Sequence, residues 1–263
     1  MKRLWIFVFS GCLVFWGGCA SDPDKAFARE MMRIQPVEPP TFLTAELASL
    51  FGAANFTARV EVHKGMPSAR PPMVGELSGR NGSLFFIADE QRGKRGMSGG
   101  LSALWDGPSQ TAYLLNEPLQ GYAPIRNSGT NAPLEVAQVG EEQMSGEACR
   151  KSVLSRRQGA ELIPAIFVWR SIARQDLPIR VQTTNSAAAV TLQLSRIRME
   201  APPAELFTLP NGFKKYESTD AMMSELVHRR TDAASSRMRA REERYGTPKI
   251  DDEQEIQRPV RQY

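Results

Sequence analysis

From Asn55 onward the chain reads with a period of two. In the stretch FTARVEV, Phe56, Ala58, Val60 and Val62 fall on one side and Thr57, Arg59 and Glu61 on the other. Strict alternation of this kind describes a half-buried β-strand, because successive side chains of a strand point to opposite faces of its sheet. Further strands are predicted at 74–80, 83–89, 101–106, 111–116, 120–125, 149–156, 165–170, 179–184 and 190–200. The joints between them carry turn chemistry, notably Asn81-Gly82 and Asp106-Gly107-Pro108, which suit tight hairpins. Short strands at regular spacing without intervening helices imply an antiparallel meander rather than parallel crossovers.

Two helical segments flank this meander. At 41–51, Leu43, Leu47 and Leu50 form an apolar set that Thr41 or Thr44 can cap. At 219–230, Ser218 or Thr219 can cap a helix bearing Met222, Met223, Leu226 and Val227. Residues 229–263 mix Arg with Asp and Glu, hold few large apolar groups, and are predicted to be a charged tail too polar to fold alone.

The start of the chain has a different organisation. Lys2 and Arg3 precede an apolar run from Leu4 to Trp16, which ends in Gly17, Gly18 and Cys19. A charged n-region, a short apolar h-region and small residues at a cleavage point make a signal peptide over 1–18. The run falls short of the roughly 20 apolar residues a membrane span needs. Cys19 behind two glycines resembles the lipobox of bacterial lipoproteins, although Trp16 stands where that motif prefers a small aliphatic residue. The resemblance implies that Cys19 carries a lipid and becomes the first mature residue; the alternative is an ordinary secretory signal cleaved near Ala20. Ala20 and Ser21 follow Cys19 without an immediate Asp, which in a two-membrane envelope implies an outer-membrane address and otherwise a cell-membrane one. Residues 19–42, including the proline-rich QPVEPPTF at 35–42 and a short helical turn around 26–34, read as a tether.

Removing residues 1–18 from the 263 leaves 245 and lowers the formal charge from +4 to +2. So small a surplus gives no reason to expect a nucleic-acid partner. Of three cysteines, Cys12 leaves with the signal and Cys19 takes the lipid, so Cys149 has no intrachain partner and reads as a small buried apolar residue. Only His63 and His228 remain as histidines, without ligand spacing for a metal. Glu141-Glu142 and Asp251-Asp252 fall in segments read as loop and tail. The glycine-rich basic stretch at 90–100 lacks the Gly-Lys-Ser/Thr ending of a phosphate loop. The expectation is a protein that is not an enzyme, with no cofactor, metal or catalytic residue.

The order of lipidated Cys, helix, long antiparallel meander and closing segment resembles the LolA/LolB-like fold of periplasmic lipoprotein-sorting proteins. The residues that carry the resemblance are Trp169-Arg170 followed by DLPIR at 176–180, and the ending LF-x-x-P-x-GF at 206–213. It implies a mainly β (α+β) fold: a curved antiparallel sheet forming an incomplete barrel, covered by helices near the N-terminus and C-terminus. The domain would span 43–228. A sheet incompletely filled by its own side chains leaves room for an acyl chain or other lipid. Phe56, Val60, Phe85, Phe86, Trp105, Tyr113, Leu115, Phe167 and Trp169 are the candidates to line such a cavity or to fill a core in its place. Phe85 and Phe86 are adjacent and must face opposite ways, so one of them needs separate cover. The expected partners are the membrane through Cys19, a lipid or lipoprotein acyl group, and, as the alternative function, an envelope protein recruited through the surface or the charged tail.

Overall fold

The computed structural model describes residues 39–65, 72–89, 100–126, 133–184 and 189–245. Cys19, the tether before residue 39, most of the glycine-rich stretch at 90–100 and Asp251-Asp252 lie outside the described residues.

One sheet of twelve strands dominates. In chain order these are β1 (Phe56–Lys64), β2 (Met73–Arg80), β3 (Ser83–Ala88), β4 (Leu101–Asp106), β5 (Thr111–Asn116) and β6 (Gly121–Pro124). They continue with β7 (Leu134–Met144), β8 (Glu147–Gln158), β9 (Glu161–Ser171), β10 (Leu177–Thr183), β11 (Val190–Arg198) and β12 (Lys214–Lys215). Across the sheet the order is β12-β6-β5-β4-β3-β2-β1-β11-β10-β9-β8-β7. Two meanders, β1 to β6 and β7 to β11, are therefore sewn together by the antiparallel pairing of β1 with β11. Each neighbouring pair is antiparallel except β12 on β6. β12 and β7 form the two edges, and the sheet stays open.

Local chemistry explains the joints. Asn81 and Gly82 have φ of 47° and 84°, the two positive values a type I′ hairpin turn requires. Ser145 and Gly146 repeat the device between β7 and β8. At the β4–β5 joint the Ser83 hydroxyl accepts from the Gly107 backbone N–H at 3.0 Å. The Ser109 hydroxyl donates to Asp106 at 2.6 Å.

Helix α1 (Ala45–Phe51) is capped by Thr44, whose hydroxyl accepts from the Leu47 N–H at 3.2 Å. Helix α2 (Thr219–Tyr245) begins where Ser218 accepts from the Ala221 N–H. It runs well beyond the apolar residues that announce it: Met222, Leu226, Arg230 and Ala234 make one buried stripe at four-residue spacing. The first seventeen residues of the stretch read as tail, 229–245, are thus helix, and His228 sits inside α2 rather than at its end.

Two strands carry no clear signal in the sequence. β12 has two residues. β7 is exposed or half-buried along all eleven residues, so neither face selects apolar side chains and its Glu and Gln content reads as loop. Glu141-Glu142, expected in a loop, lies in this strand.

Candidate functional site

The pairing register divides the expected cavity residues between the two faces of the sheet. Phe56 pairs with Gly79, Gly79 with Leu84, and Leu84 with Trp105. Residues directly opposite one another share a face, so Phe56 and Trp105 lie together, and alternation adds Val60 and, through Leu77, Phe86. A second chain of pairs runs from Val62 through Leu192 and Val181 to Val168. Val168 therefore joins that face, and its neighbours Phe167 and Trp169 must point the other way. Phe85, Tyr113 and Leu115 point there as well.

The first face is covered by the two helices. Phe51 stacks on Phe56 with ring centroids 5.3 Å apart, and Phe42 meets Phe86 edge-on at 4.9 Å. Leu43, Leu50, Met222 and Leu226 belong to the same buried cluster. Strand glycines allow rings to lie flat on the backbone: Phe86 crosses Gly75, Phe56 crosses Gly79 and Tyr216 crosses Gly121. Phe56, Val60, Phe86 and Trp105 are thus packed beneath the chain's own side chains.

Polar contacts hold the rim of this cover. Arg156 on β8 pairs with Glu46 of α1. Arg170 on β9 donates at 2.8 Å to the Leu50 carbonyl, one of the carbonyls a helix end leaves without a partner. Burial holds the Arg170 guanidinium below its ordinary pKa.

The second face carries two separate clusters. Under the 3₁₀ turn at Ala204–Phe207, Leu104 and Leu115 are buried beside half-buried Phe85, and Tyr113 meets Tyr122 at 5.9 Å. Arg80 reaches over to the Pro202 carbonyl. Phe85 thus obtains the separate cover its position demands.

On the other half of the sheet, Trp169 donates its Nε1–H to Glu142 at 2.7 Å, and Lys151 bonds the other oxygen of the same carboxylate at 2.7 Å. Lys151 also lies 5.0 Å from the Trp169 ring centre, with Arg180 at 5.1 Å. These bonds, that of Lys151 first and that of Trp169 second, lower the pKa of Glu142. Phe167, Trp169 and Glu142 thus form a polar-aromatic cluster remote from the helix-covered core.

Cys149 is fully buried and unpaired, and burial pushes its thiol pKa upward. His63 lies on β1 and His228 on α2, 3.4 Å from Asp232. Among the described residues no three His, Cys, Asp or Glu side chains gather into a metal-ligating group. No described helix is long and apolar enough to cross a membrane.

One feature escapes pattern reading altogether. Beside the β1–β11 junction, on the face away from the helices, is a pocket of about 260 Å³ bordered by Arg59, Arg196, Arg198, Glu76 and Asp89. These residues come from four strand regions and share no motif. A β-bulge assembles them, and bulges leave only a weak trace in sequence.

No protein-family model and no curated protein matches the chain. Similar solved structures include an uncharacterized conserved protein from Thermus thermophilus, at 10% identity and a TM-score of 0.41 over 73% of this chain and 99% of that one. The LolA superfamily protein NE2245 from Nitrosomonas europaea is similar at 11% identity and a TM-score of 0.33, over 63% of this chain and 98% of that one. The Mycobacterium tuberculosis lipoprotein LppX is similar at 11% identity and a TM-score of 0.33, over 68% and 98%. Likenesses this loose concern the fold and say nothing of what the sheet binds.

Proposed function

We propose that the chain is a membrane-anchored envelope lipoprotein, lipidated at Cys19, that handles a lipid or acyl chain against the helix-covered face of its sheet without catalysing a reaction. The observation that supports this reading is the construction of the cover. The apolar wall belongs to the sheet, but Phe42, Leu43, Leu50 and Phe51 belong to a short segment outside it. A helix of seven residues has little stability of its own. Its displacement would leave every strand ladder intact, and an acyl chain entering the space would replace apolar contact with apolar contact. The signal peptide and the lipobox-like Gly17-Gly18-Cys19 supply the envelope address, on the periplasmic side of an outer membrane where one exists.

Native mass spectrometry of residues 20–263 without the lipid anchor tests the reading. A lipid-sized adduct lost on denaturation is expected. Bare protein at its calculated mass, after exposure to phospholipid, overturns it.

A second reading, in which the sheet is a scaffold that recruits an envelope protein, is favoured by a different observation. Val136 and Val139 are exposed on the edge strand β7, and Leu162 and Ile163 are exposed near the β8–β9 turn. Open edges and exposed apolar side chains are the features protein partners use. The charged tail can be tested for the same role by ending the chain after Tyr245. A truncation at residue 231 would also remove the buried Ala234 and confuse a lost partner with a lost contact.

A further inference from the structure

The arginine-lined pocket at the β1–β11 junction has an unusual origin. Leu192 and Leu194 of β11 face the helix-covered core, and in a regular strand Arg196 would follow them onto that apolar face. The ladder is interrupted there. Ser195 opposes Arg59 and Arg198 opposes Thr57, so Arg196 and Ile197 together oppose the single residue Ala58. This bulge, in which Arg196 adopts a φ of 50°, turns its side chain away from the core and onto the pocket on the opposite face. A left-handed backbone is unfavourable for a residue with a β-carbon, and Gly or Asn is the usual occupant.

The charges are unequally engaged. Arg59 pairs with Asp89 at 2.6 Å, and Arg198 pairs with Glu200 at 3.2 Å. Arg196 makes no hydrogen bond or ion pair to any described residue. With Arg59 taken up by Asp89 and Arg198 by Glu200, Arg196 is the guanidinium of the pocket wall left to face an incoming anion. A guanidinium presents its N–H groups as a planar fork matched to two oxygens of a tetrahedral oxyanion. The volume of about 260 Å³ suits a group of phosphate size with a small substituent.

We infer that this pocket binds a phosphate-class oxyanion, free or as the phosphodiester of a lipid headgroup, with Arg196 as the principal ligand and Arg59 and Arg198 beside it. The site lies on the face opposite the one assigned to the apolar ligand, so either assignment can fail while the other stands.

The test is isothermal titration of the full chain in uncharged detergent with inorganic phosphate and, separately, with a short-chain phosphatidylglycerol. The variant is Arg196→Gly, which removes the guanidinium at a backbone position glycine prefers and so spares the fold. Arg244→Ala, which removes the same charge from the last turn of α2, is the control. The expected result is binding that Arg196→Gly weakens at least tenfold and Arg244→Ala changes less than twofold. Binding of both probes shows that the oxyanion suffices; binding of phosphate alone identifies a free anion, and of the phospholipid alone a headgroup. No binding of either probe, unchanged binding by Arg196→Gly, or equal losses in the two variants overturns the proposal.

Discussion

The Phe56 ring lies flat on Gly79, so close that a β-carbon at Gly79 would stand 2.3 Å from Phe56 Cε1. Phe56 is itself fully buried and stacked against Phe51 of α1, so a shift of the ring away from Gly79 must displace packed neighbours. Gly79→Ala is therefore expected to destabilise the protein by about 1–3 kcal/mol, the usual effect of forcing a methyl group into a filled core. Urea denaturation measures it, and a variant as stable as the parent would mean that the ring has a second resting place.

The cover formed by α1 should open more readily than the sheet beneath it. Its cap and its rim contacts are few: Thr44 on the Leu47 N–H, Arg156 on Glu46 and Arg170 on the Leu50 carbonyl. Thr44→Ala removes the cap and is expected to cost the helix about 1 kcal/mol. Hydrogen exchange followed by mass spectrometry should show faster exchange across 45–51 with the β1–β11 ladder unchanged. Equal acceleration in both would mean that α1 and the sheet open as one unit, which removes the basis for a displaceable cover.

Acid should loosen, through Glu147, the junction of β8 with the 3₁₀ turn at Ile172–Arg174. Arg174 holds this carboxylate with both Nε and Nη2, and Ser171 donates to it at 2.7 Å. The Arg174 bond is the main cause of a pKa below the ordinary 4.5; burial opposes it, and the Ser171 bond adds to it. A carboxylate whose folded pKa lies below its unfolded one contributes stability that is present above about pH 4.5 and is lost as pH falls through the lower folded value. Glu147→Gln should therefore lower stability at neutral pH and flatten its fall below pH 4.5. A variant with the parent's full acid sensitivity would place the responsible group elsewhere.

Cys149 is predicted to be inert while the protein is folded. It is fully buried, and desolvation raises its thiol pKa, so little thiolate is present at neutral pH. In a chain lacking Cys12 and Cys19, maleimide should label it slowly in buffer and rapidly in urea. Rapid labelling in buffer would show that the start of β8 opens on its own.

What the sequence determined by itself is the part of the molecule governed by neighbours in the chain. Period-two alternation located β1, and β4 and β5 at their observed ends, because burying one face of a strand selects every second residue. Asn81-Gly82 specified its hairpin because few residues accept two positive φ values. Thr41 or Thr44, and Ser218 or Thr219, marked helix starts because such hydroxyls satisfy backbone N–H groups within three residues, and the structure selects Thr44 and Ser218. Only the tertiary structure decided which face the helices would cover, and with it the division of Phe56, Val60, Phe86 and Trp105 from Phe85, Tyr113, Leu115, Phe167 and Trp169. A strand repeat states that two faces differ; which face receives α1 depends on contacts such as Arg170 to Leu50, 120 residues apart. β7 was hidden because an exposed edge imposes no apolar pattern, and the length of α2 because its later buried residues, Arg230 and Ala234, look like surface residues in a polar run. The pocket around Arg196 was hidden for the same reason in its strongest form: one extra residue opposite Ala58 reverses the direction of a side chain, and nothing in the residues on either side records it.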